Sequence, residues 1–158
     1  TVCRIHCVSH TMWRRGMIAL TIDADLFESM RLELRRGSLV LAVLESRCGL
    51  SLGNRDVYLN VAGGLRVSEP AADLAAAAAL ASSALDQALP QDCVVFGEIS
   101  LSGDIRPVSR MESRMKEAAK LGFKQVLGPK DLEGGSMKIH GVTRLADAIA
   151  RIGESQWE

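Results

Sequence analysis

An α/β (α+β) domain is what this sequence predicts, on three observations. Segments with the two-residue period of strands alternate with segments that have the 3.6-residue period of helices. Glycines or capping residues stand at the joins between them. At 158 residues and 47% hydrophobic content, the chain can bury one substantial core but not comfortably two.

Residues 1–37 are the least regular part. Cys3, Ile5 and Cys7 alternate with Arg4 and His6, and 'MIALTI' (17–22) is a short β-like run, so two strands are expected. 'DLFESMRLELRR' (25–36) reads as a helix stopped by Gly37, its arginines in the last turn where the helix dipole favours cations. This segment is set apart from a domain spanning 38–158, where the signals sharpen.

'LVLAVLESRCGL' (39–50) reads as a helix closed near Gly49, and 'DVYLNVA' (56–62) as a strand ending at Gly63-Gly64. A helix follows over 69–86, with Pro70 in its first turn, where a missing N–H leaves no bond unmade. After Pro90, 'CVVFGEISLSGDIRPV' (93–108) is a hairpin, because Ser102-Gly103 between apolar runs supplies the positive φ of a tight turn. A helix is expected from about Ser109 to Leu121, with Gly122 as its stop. Strands over 124–129 and 137–142 and a closing helix over 143–152, N-capped by Thr143, complete the pattern.

Bulk properties narrow the function classes. The formal net charge is zero, so no global field draws the chain to nucleic acid or to an anionic membrane, and such binding needs a local patch. No apolar run approaches the ~18 residues of a membrane span. The four cysteines, Cys3, Cys7, Cys48 and Cys93, lack the spacing of a secreted disulfide framework and read as free thiols of a reducing cytoplasm. The first residue is Thr and no charged-then-apolar leader is visible, as expected of a fragment. No G-x-x-x-x-G-K-[ST] occurs, so the chain holds no phosphate-cradling loop of that type.

'CRIHCVSH' gathers Cys3, His6, Cys7 and His10. Structural zinc sites pair two short ligand clips across a longer loop, and four ligands in one octapeptide would need a helical face where the flanks read as strand. The reading is therefore no metal, with these four as the nearest thing to a ligand set.

The segments that carry a resemblance are 'GNRDVYLNVAGGLRVSEPAADLAAAAALASS' and 'GEISLSGDIRPVSRMESRMKEAAKLGFKQVLGPK'. The latter is similar to the part of Lon-type proteases that runs from a hairpin into the helix of the catalytic lysine. Together they resemble the Lon protease-like C-terminal domain of the bacterial RadA (Sms) family, which implies a Lon-like fold with helices packed on a mixed sheet. The likeness spans roughly 38–152 and does not extend into 1–37.

Lon-type proteases use a Ser-Lys dyad, with the serine in a Gly-Pro-Ser-Ala-Gly turn at a helix start. A lysine of lowered pKa takes the serine proton, and backbone N–H groups hold the oxyanion. On the resemblance, Glu69-Pro70-Ala71-Ala72-Asp73 occupies that turn. The serine position is then Ala71, which has no nucleophilic atom, and Glu69 and Asp73 replace both glycines with like-charged groups. The lysine position falls on Arg114, and arginine does not deprotonate in proteins. Without ancestry, the same stretch is simply an acidic, proline-started helix that alanine propagates well. Ala71 does no chemistry on either account. A displaced dyad of Ser68 and Lys116 is the enzymatic alternative, and Ser68 as an N-cap its bland counterpart.

Arg106, Arg110, Arg114, Lys116, Lys120 and Lys124 cluster on and around the 109–121 helix, against Glu112 and Glu117. On a helical wheel Met111, Met115 and Ala118 form the buried stripe, with Arg110 and Arg114 on one flank and Lys116 and Lys120 in a second row. The cations are either an ordinary solvated face or a set of phosphate contacts for duplex DNA.

The resemblance implies a DNA recombination and repair ATPase whose Lon-like domain, itself neither peptidase nor ATPase, scaffolds a homo-hexamer and offers duplex or branched DNA a surface, with recombinase machinery as a possible partner. ATP, magnesium and a zinc module are then expected in the part of the parent protein N-terminal to this chain, none of them here. A peptide-binding module using the vestigial cleft at Glu69 and Asp73 is the remaining alternative.

Overall fold

Strands and helices alternate in the chain as their periodicities predict. The structure, a computed structural model, describes residues 5–7, 17–22, 34–52, 56–61, 69–133, 135–154 and 157. Its elements in order are β1 (Ile5–Cys7), β2 (Met17–Ile22), α1 (Leu34–Cys48), β3 (Asp56–Val61), a 3-10 turn (Pro70–Ala72), α2 (Asp73–Leu85), β4 (Cys93–Val95), β5 (Glu98–Ile99), β6 (Ile105–Arg106), α3 (Met111–Lys120), β7 (Gln125–Pro129), β8 (Lys138–Val142) and α4 (Leu145–Gly153).

The strands form a mixed α/β architecture in three groups: β1-β2-β3, β4-β7-β8 and the β5-β6 hairpin. β1 runs antiparallel to β2, and β2 parallel to β3, with α1 in the crossover between them. β4, β7 and β8 are all parallel, so this sheet should be covered on both faces. It is, and the period of two shows how. Cys93, Val95 and Leu127 join the main core with α1, α2 and α4, whereas Val94 and Val126 face Met115, Ala118 and Phe123 in a second core beneath α3.

α2 is the centre of the domain. It touches α1, α4, β1, β2, β4 and β5, and every residue from Asp73 to Ser82 is buried. A helix surrounded on all sides has no polar face to keep, and alanines let neighbouring elements approach its backbone closely. That is the packing reason for the run of alanines. α2 ends at Asp86, which is left-handed at φ 54°, a conformation a short polar side chain tolerates.

Two boundaries differ from the sequence expectation. Residues 34–36 are the first turn of a helix that continues through Gly37 to Cys48. The stop is Gly49, at φ 66°, because the left-handed turn ends a helix rather than glycine composition. A glycine inside a helix costs only about 1 kcal/mol, which burial of Val40, Val43 and Leu44 outweighs. The rest of the expected 25–36 helix lies outside the described residues. Thr143 is not the cap of the last helix either. Arg144 holds that position with no side-chain bond to the helix, while the Thr143 carbonyl accepts from Ile105 N–H at 2.8 Å. Strand pairing to the hairpin displaces capping there.

The hairpin appears where Ser102-Gly103 places it, though it is confined to 98–106, because Cys93–Val95 of the same segment pairs with β7 instead. β5 and β6 pair with Ile99 opposite Ile105, and Gly103 has φ 86°. Gly103 C=O accepts from Leu145 N–H at 2.8 Å, which ties the hairpin to the start of α4.

Candidate functional site

Two loops meet where the helices α2 and α3 begin. The turn into α2 is fixed by backbone pairing: Gly97 N–H donates to Ala71 C=O at 2.9 Å, and Leu74 N–H to Gly97 C=O at 3.0 Å. This approach needs glycine, since a Cβ on Gly97 would stand 3.2 Å from both Leu74 and Ile105 side-chain atoms. Ala71 is 4% exposed and Asp73 2%. The Asp73 carboxylate accepts from Ile99 N–H at 3.4 Å, so it fastens α2 to the hairpin.

The entry to α3 is unusual. Arg110, directly before it, is left-handed at φ 57°, which is uncommon for a long side chain. Four residues on, Arg114 turns inward rather than to the outer flank predicted for it, and only 6% of the residue is exposed. Its Nε donates to Ser109 C=O at 3.0 Å, and its Nη2 donates to Glu69 Oε1 in an ion pair. Arg114 therefore clasps the two helix entries together. Burial lowers its pKa from the usual value, yet a guanidinium remains charged at any ordinary pH.

The structure thus ties Arg114, at the position assigned to lysine, to Glu69, two residues before Ala71 at the position assigned to serine. Ala71 is a buried methyl group and Arg114 a cation consumed by Glu69 and a carbonyl. Ala71 offers no hydroxyl nucleophile, and Arg114 offers no neutral amine to take a proton. The two described grooves are lined elsewhere, and neither includes Glu69, Ala71 or Asp73. Of the displaced dyad, Ser68 lies outside the described residues. Lys116 is 70% exposed at its side chain and paired with Glu112 at 2.5 Å.

The other cations remain on the surface. Arg106, Arg110 and Lys124 are exposed, and none forms an ion pair among the described residues. Lys116 pairs with Glu112, and Lys120 with Glu117 at 3.3 Å, along the outside of α3. Arg114 is the member of the six that the structure separates from the rest. The helical wheel places its Cα correctly but cannot show that a carboxylate 45 residues earlier draws the side chain inward.

Cys3 and His10, and the side chains of His6 and Cys7, lie outside the described residues. Among the described residues no group of three or more His, Cys, Asp or Glu is placed to hold a metal. Cys48 and Cys93 are free thiols, and burial pushes Cys93 up to about 12, leaving it unreactive.

Sequence inspection singles out no role for one further polar cluster. Buried His140 bonds Gln125 Oε1 through Nε2 at 2.9 Å and Arg151 Nη1 through Nδ1 at 3.2 Å. Since Arg151 can only donate, Nδ1 is the acceptor and Nε2 carries the proton. Gln125 Nε2 then donates to Asp92 Oδ1 at 3.2 Å, and Trp157 packs edge-on against the imidazole at 5.2 Å. No spacing rule connects these residues, because β7, β8 and α4 meet only in the fold.

A family model described as subunit ChlI of Mg-chelatase matches residues 15–132. The match begins inside the 1–37 segment, where the sequence showed no likeness. The chain is also similar to curated proteins named DNA repair protein RadA. That of Brucella abortus is 54% identical over 124 residues, covering 76% of this chain and 27% of the relative. That of Synechocystis sp. is 51% identical over 114 residues, 70% and 23%, and that of Streptococcus pneumoniae 46% over 127 residues, 77% and 30%. The chain spans about a quarter of the length of the curated relatives it matches.

Proposed function

Because the chain belongs to the family described as subunit ChlI of Mg-chelatase and has close relatives named DNA repair protein RadA, we propose that it is the non-proteolytic Lon-like domain of a RadA-type DNA repair and recombination ATPase, serving homo-hexamer assembly and duplex-DNA binding. The observation that carries the reading is the Glu69–Arg114 pair. On this reading a Lon-like frame is retained while the residue at its lysine position, Arg114, clasps Glu69 at a glycine position of the turn, and a fold can outlast its chemistry in this way.

The DNA surface on this reading is the exposed set Arg106, Arg110 and Lys124, with Lys116 and Lys120 adding cations already shared with glutamates. Such contacts are weak singly, and a ring that presents several copies to one duplex makes them effective. On this reading ATP, magnesium and the zinc module belong to the parent protein outside this chain, whose own sequence has no phosphate loop of the P-loop type. No described helix is long and apolar enough to cross a membrane. We place the parent protein in the cytoplasm, with recombination enzymes as its partners.

The test is a duplex-DNA titration by anisotropy at low and moderate salt, with mass measured by light scattering in the same buffers. Salt-sensitive binding by an oligomer is the expected result. An oligomer that does not bind would remove DNA contact from the reading and leave assembly. Stoichiometric labelling of any serine by a fluorophosphonate probe would reinstate a peptidase with a displaced dyad.

A further inference from the structure

We propose that the tip of the β5-β6 hairpin in one copy of the chain seats in the groove between α3 and residues 131–133 and 135–137 of a second copy. Leu101 is the knob, and Met111, Met115, Leu132 and Met137 line the socket. The inference rests on the assembly reading and names the surfaces that would carry it.

The knob is conspicuous. Leu101 is 73% exposed, more than any other large hydrophobic side chain among the described residues. It does not sit on a loose loop. Ser100 N–H donates to Asp104 C=O at 3.0 Å and Gly103 N–H to Ser100 C=O at 2.9 Å. The Ser100 hydroxyl accepts from Asp104 N–H at 3.0 Å and meets the Ser102 hydroxyl at 2.8 Å. Ser102 Oγ in turn donates to Asp104 Oδ2 at 2.5 Å. A turn bonded this thoroughly presents an apolar side chain to water at a fixed place, so little ordering cost remains for docking.

The socket has matching size and chemistry. It is a groove of about 730 Å³ on the outer side of α3, large enough for the hairpin tip rather than one side chain. Methionine walls adapt to an inserted aliphatic group. The charges on its two walls differ in sign. Lys116 and Lys120 line the α3 side, and Asp131 and Glu133 the loop side, with Glu112 engaged by Lys116. The tip carries the complement. Asp104 is half exposed on one flank, and Arg144 lies beside it with Nε 3.9 Å from Asp104 Oδ1. Seating Asp104 toward the lysines turns Arg144 toward the acids, and the reversed seating opposes like charges. That selects one orientation.

A second copy is the occupant because knob and socket belong to different elements of one chain, and Leu101 remains exposed in its own structure. A contact between two unlike patches is head-to-tail, and it gives a ring where its rotation closes.

Light scattering across a concentration series tests this with three proteins. The wild-type chain should form an oligomer. Leu101→Glu removes only the knob, and Ala119→Arg fills only the socket. Each should weaken association at least tenfold, and mixing the two should give dimers and nothing larger, because one intact knob then meets one intact socket. Thermal melting checks folding. If Ala119→Arg proves unstable, the exposed double change Asp131→Lys with Glu133→Lys replaces it. An oligomer that survives Leu101→Glu overturns the contact and leaves the assembly reading standing. Dissolution by the socket variant but not by Leu101→Glu puts a different segment in the groove and also overturns it. A wild-type chain that is monomeric throughout overturns both readings.

Discussion

Arg114 changes role through its surroundings alone. Its side chain is 7% exposed and that of Glu69 38%, so the two ends of the pair are not equivalent. Removing the glutamate takes the carboxylate from a buried guanidinium, whereas removing the arginine leaves a carboxylate that water can reach. Glu69→Ala should therefore cost about 2–3 kcal/mol in urea unfolding, somewhat less than the ~3–5 kcal/mol of a fully buried pair. Arg114→Met should cost less than Glu69→Ala, and the opposite order would show that the pair does not bear on α3. The same asymmetry predicts a failed resurrection. Ala71→Ser with Arg114→Lys restores both dyad residue types, but Glu69 stands ready to pair with the new lysine and keep it protonated. No fluorophosphonate labelling of that double variant is expected. His140 gives a pH prediction. Desolvation, then the positive charges of Arg151 and Lys138, push its pKa below the ordinary value. The unfolded chain then binds a proton that the folded one resists, so stability is full above pH about 6.5 and declines as pH falls below it. A urea midpoint measured from pH 8 to 5 should show this decline, and His140→Gln should flatten it.

At the scale of elements, most of the fold was legible from local pattern. The hairpin at Ser102-Gly103, the strands around 125–129 and 138–142 and the alanine helix all stand close to where periodicity and glycine placed them. Non-local competition decided the rest. Gly37 failed as a stop because tertiary burial of α1 overrides a small propensity penalty, and Thr143 failed as a cap because its backbone is paired with β6. The site was half legible. The sequence alone offers the residue types at Ala71 and Arg114, but not the clasp to Glu69, since nothing in a helical wheel reports a partner from another loop. The close packing between elements can itself be probed at Gly128 in β7. A Cβ there would lie 2.8 Å from Leu132 Cδ1 and 3.0 Å from the Phe96 carbonyl oxygen. The leucine can shift, but the carbonyl belongs to the backbone that bonds β4 to β7. Gly128→Ala should destabilise the domain by about 1–3 kcal/mol, whereas alanine would be an improvement in an unconstrained strand. An unchanged melting temperature would mean that the β4-β7 spacing is softer than its hydrogen bonds indicate.

For the whole molecule, a net charge of zero sets how DNA could be held. There is no general attraction to a polyanion, so any affinity must come from a few placed cations. Arg106, Arg110 and Lys124 are exposed and without ion pairs among the described residues, while Lys116 and Lys120 are shared with glutamates along α3 and border the groove. The two sets should therefore separate by experiment. Replacing Arg106, Arg110 and Lys124 by Ala should weaken duplex binding equally across sequences, because phosphate contacts carry no base information. It should also reduce the slope of log affinity against log salt by about one for each contact removed from a binding subunit. Lys116→Ala with Lys120→Ala should alter that slope much less and instead weaken self-association, if those lysines meet Asp104 of a second copy. Anisotropy over a salt series, with mass followed in parallel, reads both quantities from one set of samples. Equal loss of slope in the two variants would merge the cations into one DNA surface and leave the groove without its charged rim. Loss confined to the first variant would give DNA contact and assembly separate faces of the same small domain, which lets a neutral chain bind a polyanion only where a ring has gathered enough copies of it.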